Sequence, residues 1–440
     1  MKYMQHPVFE SRLPGLIKPA EFDLQNKEQQ LAIAILIATV AYQTFLCFCN
    51  THVFTTSRAL VGLSEGLIYL ACLPLIARRL LPGTLILALL AGAMLTFLAI
   101  VSGFLNVKAA RDLIIPICYF WVGCNIGKPE VADKALKYVI AIVLFLGLWE
   151  TFFLNQYTTV FNIYGYYVSA GNLQVITDYA RDNNLQLNGT RPEGIGRTLL
   201  PGLLGPHRVS SIFLEPVSLG NFATICAAWG LSRDNADWKK SLYFLSMAIV
   251  LMVLSDSRFA LMSVSLMIGM RMFINGKALN FAILMPFVCI ILLLIVGIYT
   301  PGKIGDNFQG RLAISGWSLL DFSVRELLGA KPGGNYGDQG YAYAFSNFGL
   351  PLCLLAWFSF WLLPMPDERG LRFRAYVSIY ISLILCVSGN SLFALKTAGV
   401  VWFLLGCCMM SPVPAPKKIK ALMPSSHSSE VDTLRKNHVS

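Results

Sequence analysis

The chain has 440 residues, 55% of them hydrophobic and 13% charged, and carries a formal net charge of +11. Soluble domains hold about 25% charged residues, so the composition excludes the soluble class and lets one membrane domain absorb the whole length. The apolar residues run in stretches of roughly 15–25, the length that crosses a bilayer as a helix.

In chain order, residues 1–30 are polar, lack the apolar run of a cleaved signal, and read as a cytoplasmic N-terminal tail. Membrane helices are predicted at 31–52, 59–77, 84–105, 113–127, 137–154, 209–231, 241–255, 259–274, 279–299, 341–363, 373–389 and 392–410. The run 241–274 is broken by Ser255-Asp256-Ser257-Arg258, which predicts two short helices meeting at a tight turn. Two long outer loops follow from these spans, 155–208 and 300–340. Residues 411–440 are rich in Ser, Lys and Pro and read as a disordered cytoplasmic tail. The expected fold is an all-α integral membrane protein, with about 12 transmembrane helices in a polytopic domain over 31–410 and two long periplasmic loops.

Twelve spans put both termini on one side, and the positive-inside rule places that side in the cytoplasm. The inner segments then hold 22 of the 35 Lys and Arg residues, and the outer segments hold 13. The net charge is therefore mostly topological and gives no reason to expect nucleic-acid binding. Nine of the 13 outer cations are Arg: Arg58, Arg111, Arg181, Arg191, Arg197, Arg208, Arg258, Arg311 and Arg325. The planar guanidinium matches phosphate oxygens, which points to a phosphate-bearing ligand on the outer face. The alternative is that some of these arginines simply pair with Asp and Glu.

The eleven cysteines all lie in apolar segments, with no disulfide framework and no zinc spacing, so they read as small buried hydrophobes. Charges inside apolar spans are costly and default to a functional reading. Here Glu65, Glu150, Glu215, Asp256 and Arg258 all fall toward the outer ends of their segments. That distribution suits a site open on one face better than a charged path through the membrane.

The richest local pattern is Arg208-Val-Ser-Ser211-Ile-Phe-Leu-Glu215-Pro216-Val-Ser218-Leu-Gly220-Asn221. Arg208, Ser211, Glu215 and Ser218 have helical spacing, so they are expected to line one face of a helix that Pro216 kinks. Glu215 then lies about 10 Å deeper than Arg208 and calls for a cation beside it. It is either a general base or ligand-orienting group, or a structural carboxylate holding an Arg from another helix. In the second loop, Gly310 to Arg325 reads as one amphipathic helix at the membrane interface, with Trp317 as its anchor. Arg311 and Arg325 would be about 21 Å apart on it, too far to grip one phosphate. The glycine-rich stretch Gly329 to Tyr341 offers backbone amides to an anion, although a plain loop explains that feature better. Tyr157, Tyr164, Tyr166, Tyr167 and Tyr179 in the first loop are either sugar-stacking faces or ordinary interfacial tyrosines.

Three of these stretches together resemble the O-antigen polymerase and ligase superfamily, specifically the Wzy-type polysaccharide polymerases. They are Arg208 to Gly220, Ser255-Asp-Ser-Arg258-Phe-Ala-Leu, and Gly310-Arg311 through Asp338-Gln-Gly-Tyr341 and Ser346-Asn-Phe-Gly349. The resemblance spans roughly residues 30–410 and, through Phe-Leu-Glu-Pro, is closest to bacterial exopolysaccharide polymerases. It implies that oligosaccharide repeat units on undecaprenyl diphosphate are joined on the periplasmic face of the inner membrane. It implies Arg258 and Arg311 as diphosphate contacts, with Arg208 next, and Glu215 as first and Asp338 as second candidate base. A chain-length regulator and a flippase are the partners such polymerases keep. No D-x-D motif occurs in the outer loops, so a metal-independent glycosyltransferase with no cofactor is expected. Ligases of the superfamily carry a His at the end of the second outer loop, where this chain has Asp338 and Gln339 and no His between 208 and 426. A ligase and a lipid-linked sugar flippase are the rival readings. A transporter would be expected to show repeats, short loops and a midplane site.

Overall fold

The computed structural model describes residues 19–103, 106–171, 184–185, 189, 197–274, 276–300, 308–329, 336–337 and 339–410. Among these residues every regular element is helical. The first five helices are α1 (Pro19–His52), α2 (Arg58–Ala77), α3 (Pro82–Ser102), α4 (Val107–Ile126) and α5 (Pro129–Phe152). Their ends follow local chemistry. Ser57 caps α2 by accepting the Leu60 amide, Pro opens α3 and α5 where its missing N–H costs nothing, and left-handed Gly103 and Gly127 stop α3 and α4.

Three short helices follow, α6 (Leu154–Val160), α7 (Ile163–Ser169) and α8 (Pro201–Leu204). The chain then builds α9 (Pro216–Leu231), α10 (Trp238–Ser255), α11 (Arg258–Phe273) and α12 (Met285–Tyr299). Next come α13 (Phe308–Leu320), α14 (Val324–Leu327), α15 (Gly340–Leu362), α16 (Glu368–Ile384) and α17 (Leu395–Met409).

Seven helical stretches are long and apolar enough to cross a membrane. They are Gln25–His52, α2, α3, α4, Asn235–Ser255, Leu279–Tyr299 and α15. The pair Pro129–Phe152 and Leu154–Ser169, bent by 117°, adds an eighth if it is one span. The other predicted spans also fall on helices, but α9, α11, α16 and α17 have only 15 to 17 residues each. The protein is thus an all-helical, multi-pass membrane protein. Large apolar side chains on α2, α3 and α12, such as Leu67, Leu89 and Ile291, point away from the fold and form the apolar exterior that lipid covers.

The core centres on α9, which is buried along its whole length and packed by α10, α11, α16 and α17. Small residues set the closest approaches: a Cβ at Gly406 of α17 would lie 2.8 Å from the Cys124 amide of α4. The eleven cysteines are free thiols, and all but Cys353 are buried.

Three expectations are corrected here. Arg208 to Ser218 is not one helix face: a 3-10 turn covers Ser211–Phe213, Glu215 is extended, and α9 starts at Pro216. Pro216 therefore sits at the first helical position and kinks nothing. The helix from Gly310 to Arg325 ends at Leu320, and Arg325 rides on α14, started afresh by the Ser323–Glu326 capping box. The distance along one straight helix therefore does not apply to Arg311 and Arg325. The Trp317 indole N–H donates to the Gly297 carbonyl at 2.9 Å and ties α13 to α12.

Candidate functional site

Glu65, Glu150, Glu215, Asp256 and Arg258 lie at one end of the bundle, where α1, α5 and α10 finish and α2, α4, α9, α11, α15 and α17 begin. The segment His207 to Glu215 runs through this end as irregular chain. Such backbone inside a membrane protein needs partners for every amide and carbonyl. Glu150 of α5 supplies much of this. Its carboxylate accepts the Ser210 amide at 2.9 Å, the Ser211 amide at 2.5 Å, the Ser210 hydroxyl at 3.0 Å and His207 Nε2 at 2.9 Å. The Tyr157 hydroxyl donates to the Ser211 carbonyl at 2.8 Å, and the Ser211 hydroxyl donates to the Val143 carbonyl at 2.6 Å. Thr44 of α1 donates to the Ile212 carbonyl. These bonds hold Ser211 and Leu214 at positive φ, 52° and 56°, a region that side chains with a Cβ seldom occupy.

The segment ends at Glu215. Its carboxylate accepts the Ser218 hydroxyl at 2.8 Å and lies 3.7 Å from the Lys396 ammonium. Lys396 is the cation that an acid at this position calls for, and it comes from α17. The Glu215 side chain is 28% exposed and that of Lys396 only 5%, so the carboxylate is reachable while its partner is sealed behind it.

The turn between α10 and α11 forms a second focus. Asp256 takes left-handed φ, is fully buried, and accepts the Thr198 and Leu199 amides at 3.0 and 2.8 Å. Arg197 is buried and donates to the carbonyls of Leu199, His207, Val253 and Leu254. Arg208 is buried too, its Nε 3.1 Å from the Ser255 carbonyl. Arg258 is less enclosed, and its Nε reaches the Thr198 hydroxyl at 2.7 Å. Three guanidinium groups thus surround this turn. The turn also packs on α9 at Gly220, where an added Cβ would meet the Ser257 Cβ at 2.5 Å. Glu215 precedes Gly220 by five positions, about 7.5 Å along a helix.

A third set of charges lies on α2, α4 and α15. Glu65 accepts the Tyr42 hydroxyl at 2.7 Å and faces Arg111 at 3.6 Å. Arg111 also holds Asp112 at 2.7 Å, and Asp112 accepts the Tyr343 hydroxyl at 2.6 Å. Gln43 connects this set to the first, since it donates to Tyr42 at 3.1 Å and accepts from Lys396 at 3.0 Å. One polar network therefore runs from Glu215 to Tyr343. Arg111 and Glu65 are partners of each other, the outcome in which an arginine pairs with an acid.

Of the sequence-derived candidates, Glu215, Arg208 and Arg258 are gathered by the Glu215 segment and the α10–α11 turn. Arg311 is half-buried on α13, whose Ser315 hydroxyl donates to the Cys386 carbonyl beyond α16. Asp338 lies outside the described residues. Its neighbour Gly337 accepts the Gly389 amide at 3.0 Å, beside Asn390, which bonds Lys108. Tyr157, Tyr164, Tyr166 and Tyr167 are buried and do not offer stacking faces, and Tyr179 lies outside the described residues. Lys396 and Arg197 were not singled out from the sequence. Lys396 did carry a signal: it is the one cation within the predicted span 392–410. Arg197 carried none beyond its place among the outer arginines. No protein-family model matches the chain, and a comparison with curated proteins finds no match either.

Proposed function

We propose that this protein polymerises undecaprenyl-diphosphate-linked oligosaccharide repeat units at the outer face of the bacterial inner membrane. In this reading the chain crosses the membrane twelve times, keeps both termini in the cytoplasm, and acts as a Wzy-type polymerase. One observation carries the proposal: a reachable carboxylate, Glu215, stands just before α9, and α9 packs at Gly220 on a turn ringed by Arg197, Arg208 and Arg258. The reaction needs both kinds of group within reach of one glycosidic bond. The acceptor hydroxyl gives its proton to Glu215 as its oxygen attacks the anomeric carbon of the donor. The bond from that carbon to the phosphate oxygen breaks, and the diphosphate leaves with the electron pair. Preorganised guanidinium groups stabilise the charge that grows on it. Arg258, the more open of the three, is the contact assigned to the diphosphate, and Arg311 serves a separate phosphate or sugar group.

The test uses purified protein in nanodiscs, a lipid-diphosphate-linked repeat unit and no nucleotide sugar. A ladder spaced by one repeat unit is expected on a gel. Folded protein that leaves the substrate at one unit refutes the polymerase reading.

A further inference from the structure

We infer that Lys396 is a positioning residue for Glu215, holding its carboxylate in place and supplying the cation beside it. The inference rests on the reading of Glu215 as the proton acceptor. Lys396 is 4% exposed, at the start of a helix of 15 residues that otherwise carries no charge. A buried ammonium is costly unless its donors are used. Its ammonium donates to the Phe213 carbonyl at 2.7 Å and to Gln43 Oε1 at 3.0 Å, and forms an ion pair with Glu215 Oε2 at 3.7 Å.

The arrangement of these acceptors gives the lysine its role. Phe213 precedes the left-handed residue Leu214, which swings the chain so that Glu215 emerges extended at the start of α9. A bond to the Phe213 carbonyl therefore holds the backbone bend that aims the carboxylate. The remaining charge is directed at the carboxylate itself. Among the described residues, Ser218 also donates to Glu215 from α9, and Tyr167 of α7 is within electrostatic reach. Arg208 belongs to the same segment, with its Nε turned to the Ser255 carbonyl. Lys396 is thus the cation in direct contact with the acid. Gln43 is an amide and passes no proton, so the chain from Lys396 to Glu65 holds position and conducts nothing.

The test reads the carboxylate without relying on polymerisation. Full-length protein in nanodiscs is treated with a water-soluble carbodiimide and a small amine, which label protonated, reachable carboxyl groups. Labelling of the Glu215 peptide is followed by mass spectrometry at one fixed pH. Lys396→Gln keeps a donor for the Phe213 carbonyl and removes the cation that holds the carboxylate, so labelling rises by about threefold to tenfold. Lys396→Arg leaves it within about twofold. Unchanged labelling in a folded Lys396→Gln protein overturns the inference. Should that variant not fold, Gln43→Leu keeps both charges and removes one anchor of the ammonium. It then moves the labelling the same way by less, and no movement overturns the inference. If wild type also builds a ladder, Lys396→Gln lowers kcat and leaves KM unchanged. If wild type builds none, the polymerase reading fails while the labelling result still decides the role of Lys396.

Discussion

Glu150 and Ser210 hold each other by four contacts, with the Ser210 amide 2.9 and 3.0 Å from the two carboxylate oxygens and its hydroxyl 3.0 and 3.1 Å from them. The carboxylate is fully buried and contributes nothing to an exposed surface. It replaces the helical hydrogen bonds that the chain gives up between His207 and Glu215. An acid at the membrane-facing end of a helix is therefore a scaffold here, and the accessible acid is its neighbour in space, Glu215.

Glu150→Gln should accordingly cost stability before it costs anything else. The amide would turn an N–H₂ toward backbone N–H groups that need acceptors, at a cost on the order of 3 kcal/mol. The expected result is a lower unfolding temperature in detergent and a lower yield of monodisperse protein. A Gln variant as stable as wild type would show that these donors find other partners.

The arginines divide by what they touch. Arg197→Ala removes a buried group that satisfies four carbonyls, so the variant is expected to misfold or to melt well below wild type. Arg258→Ala removes one hydrogen bond to Thr198 at an open edge, and the protein should stay folded. Its rate of repeat-unit transfer should fall by about 10²–10³-fold if it meets the leaving diphosphate. Arg311→Ala is likewise expected to leave folded protein and to abolish long polymer. Normal polymer length in either variant removes that arginine from the site.

How much of this was legible in the sequence depends on which force placed each residue. The apolar runs are long enough to dictate helices, and each predicted span falls on one. Ser255 to Arg258 interrupts a run with four polar residues, and a turn stands there. The path from Arg208 to Glu215 was not legible, because its polar residues have the spacing of a helix face. Distant groups overrule that spacing: Glu150, Tyr157, Thr44 and Lys396 bond the amides and carbonyls that a helix would otherwise pair. Pro216 was the overlooked clue, since proline favours the first position of a helix over its middle. The same competition breaks α15 at Gly349, whose φ of 72° lets the turn at Leu328 and Gly329 approach.

At the opposite end of the bundle the positive charges do more than orient the chain. Asp133 of α5 accepts the Trp229 indole N–H at 2.8 Å, pairs with Arg233, and lies 3.4 Å from Arg369, whose guanidinium sits over the Trp229 ring at 4.1 Å. The Arg233 side chain is only 2% exposed. Asp133→Ala leaves two enclosed guanidinium groups without this acid, a loss of about 3–5 kcal/mol. A fall in unfolding temperature of roughly 5–10 °C is expected, with the extent of Glu215 labelling unchanged. A shift in that labelling would mean the two ends of the bundle are coupled.

The last prediction concerns the contact that brings the two halves of the site together. Gly220 lets α9 close on Ser257, the residue that caps α11 by accepting the Ala260 amide at 3.2 Å. A methyl group at 220 meets the Ser257 Cβ, which is fixed to the backbone and cannot rotate away, so the turn must move. Overpacking of this kind costs about 1–3 kcal/mol. It also displaces Arg258 from Glu215. Gly220→Ala should therefore slow transfer more than its modest loss of stability explains. Adding Ser257→Gly removes the clash at the expense of a helix cap, and should recover rate while recovering little stability. Stability and rate that return together would mean that Gly220 serves packing alone. Rate that returns first would identify the distance between the carboxylate and the arginine turn as the quantity the glycine sets.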